Sequence, residues 1–455
     1  MSQTSPFLPQ MWRALGGNAE VAGAVRMSDP DNLPSVFAVS DFAAVSVGVA
    51  SAAIAELIAA KFGDLPLVSV SRRLSSLWFG WSIQPEGWSL PAPWDAVAGD
   101  YAAADGWIRL HTNAPHHRDA ALSVLGVPAN KDDVARAVAR WKADDLERAV
   151  VESGGCAATM RSIEAWKQHA QGQSVNAEPL LAVRETEDTD STAWSPTRER
   201  PLQGLRVLDL TRVLAGPVAT RYLAGFGAEV LRIDPPTWDE PGVIPEVTLG
   251  KRCARLDLHD ASGRAQLRAL LSRADVLVHG YRADALAKLG FDAPARRAIR
   301  PGLVDVSLDA YGWTGPWRNR RGFDSLVQMS AGIADAGMRV LGKDRPTPLP
   351  VQALDHAAGY LMAAAVVRGL TRRLATGHGF EARASLARTA ELLVSGGVGQ
   401  PAGNFKAAAD EEWSEELELS AFGPMRRLRP PVRIDGAPMR WDRPAAKLGS
   451  SPAEW

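Results

Sequence analysis

Among the acids of this chain, Asp355 has the setting closest to a catalytic one. It lies in Val351-Gln-Ala-Leu-Asp-His-Ala-Ala-Gly-Tyr360, after a Pro-rich turn (Pro346 to Pro350) and before Leu361, Met362, Ala365, Val366 and Gly369. That spacing predicts a long helix with one buried face and Asp355 at or near its N-cap. Free N–H groups and the helix dipole there favour an ionised carboxylate. An ionised, fixed carboxylate can attack an activated acyl group and form a covalent intermediate. Aspartate is also a common cap with no chemistry attached, so position alone leaves both readings open. Asp41 precedes a similar small-residue helix at an offset of 314 residues, where Ala43, Ala44, Ala50, Gly63 and Ser71 meet Ala357, Ala358, Ala364, Gly377 and Ser385. A duplication would make Asp41 either a second acid of the same kind or a surviving cap.

The remaining reactive residue types give weaker patterns. Cys156 and Cys253 stand far apart without a CxxC or a Cys/His cluster, which argues against a disulfide framework or zinc site and fits a cytoplasmic location. His116-His117, with His111 nearby, has no carboxylate at metal-ligand spacing and reads as a polar turn; no metal is expected. Tryptophans of the first region either fill the core or line an acyl pocket.

The chain has 455 residues, 46% hydrophobic and 23% charged, with a net charge of −1. That composition suits a soluble globular protein of about two or three domains. It offers no field for nucleic acid or an anionic membrane. No uninterrupted apolar run approaches the roughly 20 residues of a spanning helix, and the start, Met1-Ser-Gln-Thr-Ser-Pro6, lacks the regions of a signal peptide.

These acids need elements to hold them. Leu205–Thr211, Ala228–Asp234, Asp275–His279 and Leu303–Leu308 read as buried strands, separated by helices near Val218–Phe226 and Ser262–Ser272. Strands so separated predict right-handed crossovers and a Rossmann-like, doubly wound parallel α/β sheet over 201–400. Residues 1–184 read as a mixed α+β domain, with a helix at Phe42–Ala60 and a strand at Gly106–His111. Polar, aperiodic 185–200 reads as a linker, and 401–455 as an extension laid over the other domains.

The motifs from Pro201 to about Gly397 resemble, in order, those of the class III coenzyme A transferases, which include formyl-CoA, carnitine and bile-acid CoA transferases and 2-methylacyl-CoA racemases. The resemblance is carried by Pro201-Leu-Gln-Gly-Leu-Arg-Val-Leu-Asp-Leu-Thr-Arg-Val-Leu-Ala-Gly-Pro217, Leu223–Asp234, Gly250–Leu258, Ala274–Arg282, Lys288-Leu-Gly290, Tyr311–Pro316, Gly322-Phe-Asp324, Gln328–Gly332 and Thr376–Gly379. Fainter likenesses at Gly99–Tyr101, Asp105–His111, Met160–Gln171 and Arg427–Gly436 suggest a rearranged or fused member, with the later section placed in front.

The resemblance implies that Asp355 is the nucleophile, accepting the acyl group of an acyl-CoA as a mixed anhydride and then CoA as a thioester. It implies acyl-CoA and a carboxylic acid as substrates, no permanently bound cofactor, and an intertwined homodimer. Ala215, Gly216 and Pro217 form a turn whose bare backbone and helix N-terminus could receive phosphate or pantetheine. Lys251, Arg252 and Lys288 could reach CoA phosphates or be solvated surface; the resemblance favours contact by Lys288, which replaces an arginine of some members, and less strongly by Arg252. Asp309 stands where some relatives carry a basic residue. Racemases of the family carry a His where this chain has Phe323, which favours a transferase over an acyl-CoA racemase or a non-catalytic CoA-binding paralogue. His356 is expected to be structural or solvent-facing.

Overall fold

The computed structural model describes residues 5–29, 31–189, 194–282, 284–401 and 405–455; residues 1–4 of the expected leaderless start and 190–193 of the expected linker lie outside them. Its centre is a seven-stranded sheet, ordered Lys251–Arg255, Glu229–Asp234, Arg206–Leu210, Val276–His279, Val304–Asp309, His378–Ser385 and Ala182–Thr189. The first six are parallel, and their order is the doubly wound one, with a switch point between Arg206–Leu210 and Val276–His279. The expected α/β fold is therefore present. The strands at Lys251–Arg255 and His378–Ser385 escaped the sequence reading because charged and polar residues interrupt them.

One expected boundary falls inside the sheet. Residues 182–189, the end of the expected first domain and start of the expected linker, form its antiparallel edge against His378–Ser385, with Arg184 paired to Glu381 at 2.7 Å. An edge strand has one unpaired side facing water, so it tolerates the polar composition that suggested a linker.

The expected first domain also shares the core of the second. The helix Val39–Phe62 packs along Ala353–Thr376, and both lie in one continuous apolar cluster. Small residues let helices approach: a Cβ on Gly359 would lie 2.4 Å from the Ala215 carbonyl oxygen. Tyr222 Oη and Ser51 Oγ join the helices Ala215–Gly225 and Val39–Phe62 at 2.8 Å. Although Asp41, Glu56, Lys61 and several serines interrupt its apolar run, Val39–Phe62 is long and apolar enough to cross a bilayer; 89% of its most apolar window is buried inside the protein.

The echo at offset 314 extends to structure. Val39–Phe62 and Ala353–Thr376 each have 24 residues and end at left-handed glycines, Gly63 (φ 89°) and Gly377 (φ 77°). Each leads to a strand whose last residue, Ser71 or Ser385, caps the next helix by accepting a bond from the third residue onward. Val68–Ser71 has a parallel neighbour, Val25–Ser28, and an antiparallel one, Val432–Ile434. His378–Ser385 has the same two kinds of neighbour. The tail thus supplies the outer strand of a small second sheet, and Trp441 stacks on Trp78 at 5.7 Å. A separate antiparallel sheet of Gly99–Ala102, Trp107–Leu110 and Ala157–Thr159 overhangs the main sheet's carboxyl edge.

Candidate active site

Asp355 occupies the first turn of Ala353–Thr376, 8% exposed, on the wall of a cavity of about 260 Å³. The other walls are Val213 and Leu214 after strand Arg206–Leu210, Trp238–Val243 after Glu229–Asp234, and Phe323–Ser325 after Val304–Asp309. All follow carboxyl ends of parallel strands, where α/β sheets place ligands. Residues 92–95 and His111 close the cavity from the overhanging segment.

The capping expected of Asp355 is performed by Asp324. Its Oδ2 accepts the N–H groups of Leu354 at 2.9 Å and Asp355 at 3.0 Å, while Gln328 Nε2 donates to its Oδ1. Gln328 is itself fixed by the Leu349 N–H at 2.7 Å. With those helix amides committed elsewhere, burial and the neighbouring Asp324 charge push the Asp355 carboxyl well above the usual carboxylate range. Burial raises Asp324 to about 6 despite the bonds from Gln328 and the two amides. Two adjacent buried carboxyls resist ionising together and titrate as a pair. Burial and the neighbouring acid thus favour the neutral form of Asp355, opposite in direction to the ionised nucleophile expected from its place on the helix.

The expected polar turn of histidines is also different. His111 and His117 are buried, and His111 lies flat on Phe323, ring centres 3.7 Å apart. Its Nδ1 is 3.4 Å from Ser325 Oγ. Burial, then the Arg109 and His117 charges, hold its pKa down to about 3, so the imidazole is neutral. His356 points into the core and stacks on Phe79 at 4.9 Å, the structural alternative for that residue.

Ala215, Gly216 and Pro217 begin the helix Ala215–Gly225 beside the cavity, but all three are buried. A Cβ on Gly216 would meet Thr211 Cγ2 at 2.3 Å, so Thr211 fills the space expected for a ligand. The turn is pinned from below: Lys251 Nζ donates to Pro217 O at 2.9 Å and pairs with Asp209 at 3.0 Å. Lys251 is thus internal rather than a phosphate contact. Arg252 pairs with Glu229 at 3.2 Å and lines a different hollow with Asp442 and Arg443. Lys288 is 71% exposed, pairs with Asp284 at 2.5 Å and does not line the cavity. Asp309 turns inward, accepting from Gly312 N at 2.7 Å. Asp41 is 42% exposed, pairs with Arg72 at 2.9 Å and does not line the Asp355 cavity.

Arg212 was missed because its motif drew attention to the glycine turn. Its guanidinium sits 5.1 Å from the Trp238 ring and 5.0 Å from that of Tyr281, donating to Tyr281 Oη at 2.8 Å. Beside it Val213, at the cavity wall, adopts φ 63°, and its N–H donates to Glu240 at 2.8 Å. A β-branched residue there is strained, and such strain concentrates at binding turns.

Residues 202–414 match the CoA-transferase family III model. A probable fatty acyl-CoA transferase of Mycobacterium tuberculosis is 34% identical over 188 residues, 38% of this chain and 47% of that protein. Human succinyl-CoA:glutarate CoA-transferase is 32% identical over 195 residues, 40% of this chain and 44% of that one. An acyl-CoA transferase of Gibberella moniliformis is 29% identical over 317 residues, 63% of this chain and 54% of that one. A crystal structure of a CAIB/BAIF family protein from Brucella suis aligns with TM-score 0.39 at 26% identity, covering 50% of this chain and 65% of that one. The chain spans about half the length of the curated relatives it matches. The matched span, 202–414, contains Asp355, and over that span the chain is similar to the class III coenzyme A transferase family.

Proposed function

We propose that the protein transfers coenzyme A between an acyl-CoA and a carboxylic acid, with Asp355 as acyl acceptor. The observation that carries this reading is a buried carboxyl on the wall of a cavity at the sheet's carboxyl edge. Relatives named as succinate–glutarate, succinyl-CoA–L-malate and acyl-CoA transferases support the class of reaction.

Asp355 first gives its proton to water. The carboxylate attacks the thioester carbonyl; the new C–O bond forms, the C–S bond breaks, and CoA leaves as thiolate. Thiolate then attacks the aspartyl carbonyl of the anhydride, releasing the first acid as carboxylate and leaving an aspartyl-CoA thioester. The incoming carboxylate repeats these steps in reverse. The Asp324–Asp355 pair favours a neutral nucleophile before substrate binds, and Arg212, next in sequence to cavity-lining Val213 and over cavity-lining Trp238, is the cation assigned to a CoA phosphate.

Incubation with acyl-CoA, hydroxylamine trapping and peptide mapping tests the reading. A hydroxamate on Asp355 and a loss of CoA exchange of about 10³-fold or more in Asp355→Ala are expected. Full exchange in that variant would refute the assignment.

A second reading rests on His111. His111 and Asp355 line one cavity, as two proton-exchanging groups of an acyl-CoA racemase would. Solvent deuterium entering the α-carbon of acyl-CoA, abolished in His111→Gln, would favour it.

A further inference from the structure

The cavity walls bear on which acyl group is carried, an inference that rests on the transferase reading. Trp94, Trp238 and Phe323 line the cavity, and His111 extends that surface, flat on Phe323 and edge-on to Trp94 at 5.9 Å. Because His111 is held neutral, it presents a ring rather than a cation. Apart from His111, every ionisable side chain lining the cavity is an acid: Asp95, Asp239 and Glu240, besides the Asp324–Asp355 pair. Asp95 is tied to Arg118 at 3.2 Å and Thr112 at 2.8 Å, and Glu240 to Arg232 and Trp238. Arg109, over Trp94 at 4.9 Å, is held by Asp100 at 2.7 Å. A second carboxylate on the acyl chain would enter a low-dielectric space lined with acids and, among the described residues, with no cationic side chain to pair it, while a ring or alkyl chain would bury apolar surface.

We propose that the acyl group delivered to Asp355 is uncharged and apolar, packed against Trp94, Trp238, Phe323 and His111, and that dicarboxylic acyl groups are rejected by the cavity's acids. The full chain carrying Asp355→Asn, which prevents turnover, is titrated with phenylacetyl-CoA, glutaryl-CoA and CoA while tryptophan fluorescence is read. Phenylacetyl-CoA is expected to bind about tenfold tighter than glutaryl-CoA, and tighter than CoA itself. Glutaryl-CoA binding as tightly or more tightly overturns the proposal, as do three equal affinities or no binding at all. Adding Asp239→Lys, at an exposed rim position, is expected to narrow the ratio by about threefold; an unchanged ratio overturns the electrostatic part. These affinities do not depend on turnover, so failure to trap any adduct on Asp355 counts against the transferase reading alone.

Discussion

The chemistry of this site turns on where two carboxyl protons reside. Asp324 holds the amides of Leu354 and Asp355, and burial, then the Asp324 charge, raises the Asp355 carboxyl well above the usual carboxylate range. Both carboxyls are raised in the folded protein, so their folded forms hold protons that the unfolded chain releases above about pH 4. Their contribution to stability is complete below that pH and is lost as pH rises through the folded values, about 6 for Asp324 and well above the ordinary carboxylate range for Asp355. Asp355→Asn is therefore expected to raise the thermal midpoint at pH 7 and to leave it nearly unchanged at pH 4, checked by calorimetry at both. In the parent protein the ionised fraction of Asp355 grows with pH, so under the proposed function acyl-adduct formation is expected to accelerate from pH 6 to pH 8 in single-turnover trapping. A flat profile would place the proton elsewhere. At this scale the sequence located Asp355 but misjudged its charge, because the competing acid lies 31 positions away and meets it only through folding.

Helix ends and turns decide how tightly that pair is held. The start of Ala353–Thr376 rests on the start of Ala215–Gly225 through Gly359, whose missing side chain accommodates the Ala215 carbonyl. Gly359→Ala should cost about 1–3 kcal/mol by overpacking, read by denaturant unfolding, and should displace Asp355 enough to slow adduct formation. The same turn is anchored by Lys251, buried with Asp209 and Thr220. Lys251→Ala leaves Asp209 as an uncompensated buried charge and should destabilise by about 3–5 kcal/mol. A loss below 1 kcal/mol would mean the ion pair does not pin the turn. Both elements were legible from their apolar spacing, whereas the role of Gly216 was not. Sequence showed a bare backbone beside a helix start; only packing revealed Thr211 in the vacancy.

At the scale of the molecule, two helices of the same length from opposite ends of the chain share one core, each followed by a strand and a serine-capped helix. Their similarity does not extend to chemistry, since Arg72 neutralises Asp41 and no second acid pair meets it among the described residues. Asp41→Ala should leave CoA exchange within about twofold of the parent, and a large loss would reinstate a second site. The intertwined homodimer implied by the family resemblance remains a proposal, and sedimentation equilibrium giving twice the 48.7 kDa chain mass is its expected outcome. By itself the sequence determined the parallel α/β core, the acid at the helix start and the family resemblance, because apolar periodicity and contiguous motifs are local properties of the chain. Only the tertiary structure decided that the polar segment from 182 is an edge strand, that Asp324 takes the helix amides, that His111 reaches Phe323, and that Arg252 and Lys288 do not line the cavity. Those outcomes depend on which distant residues share a low-dielectric space, and spacing along the chain does not encode that.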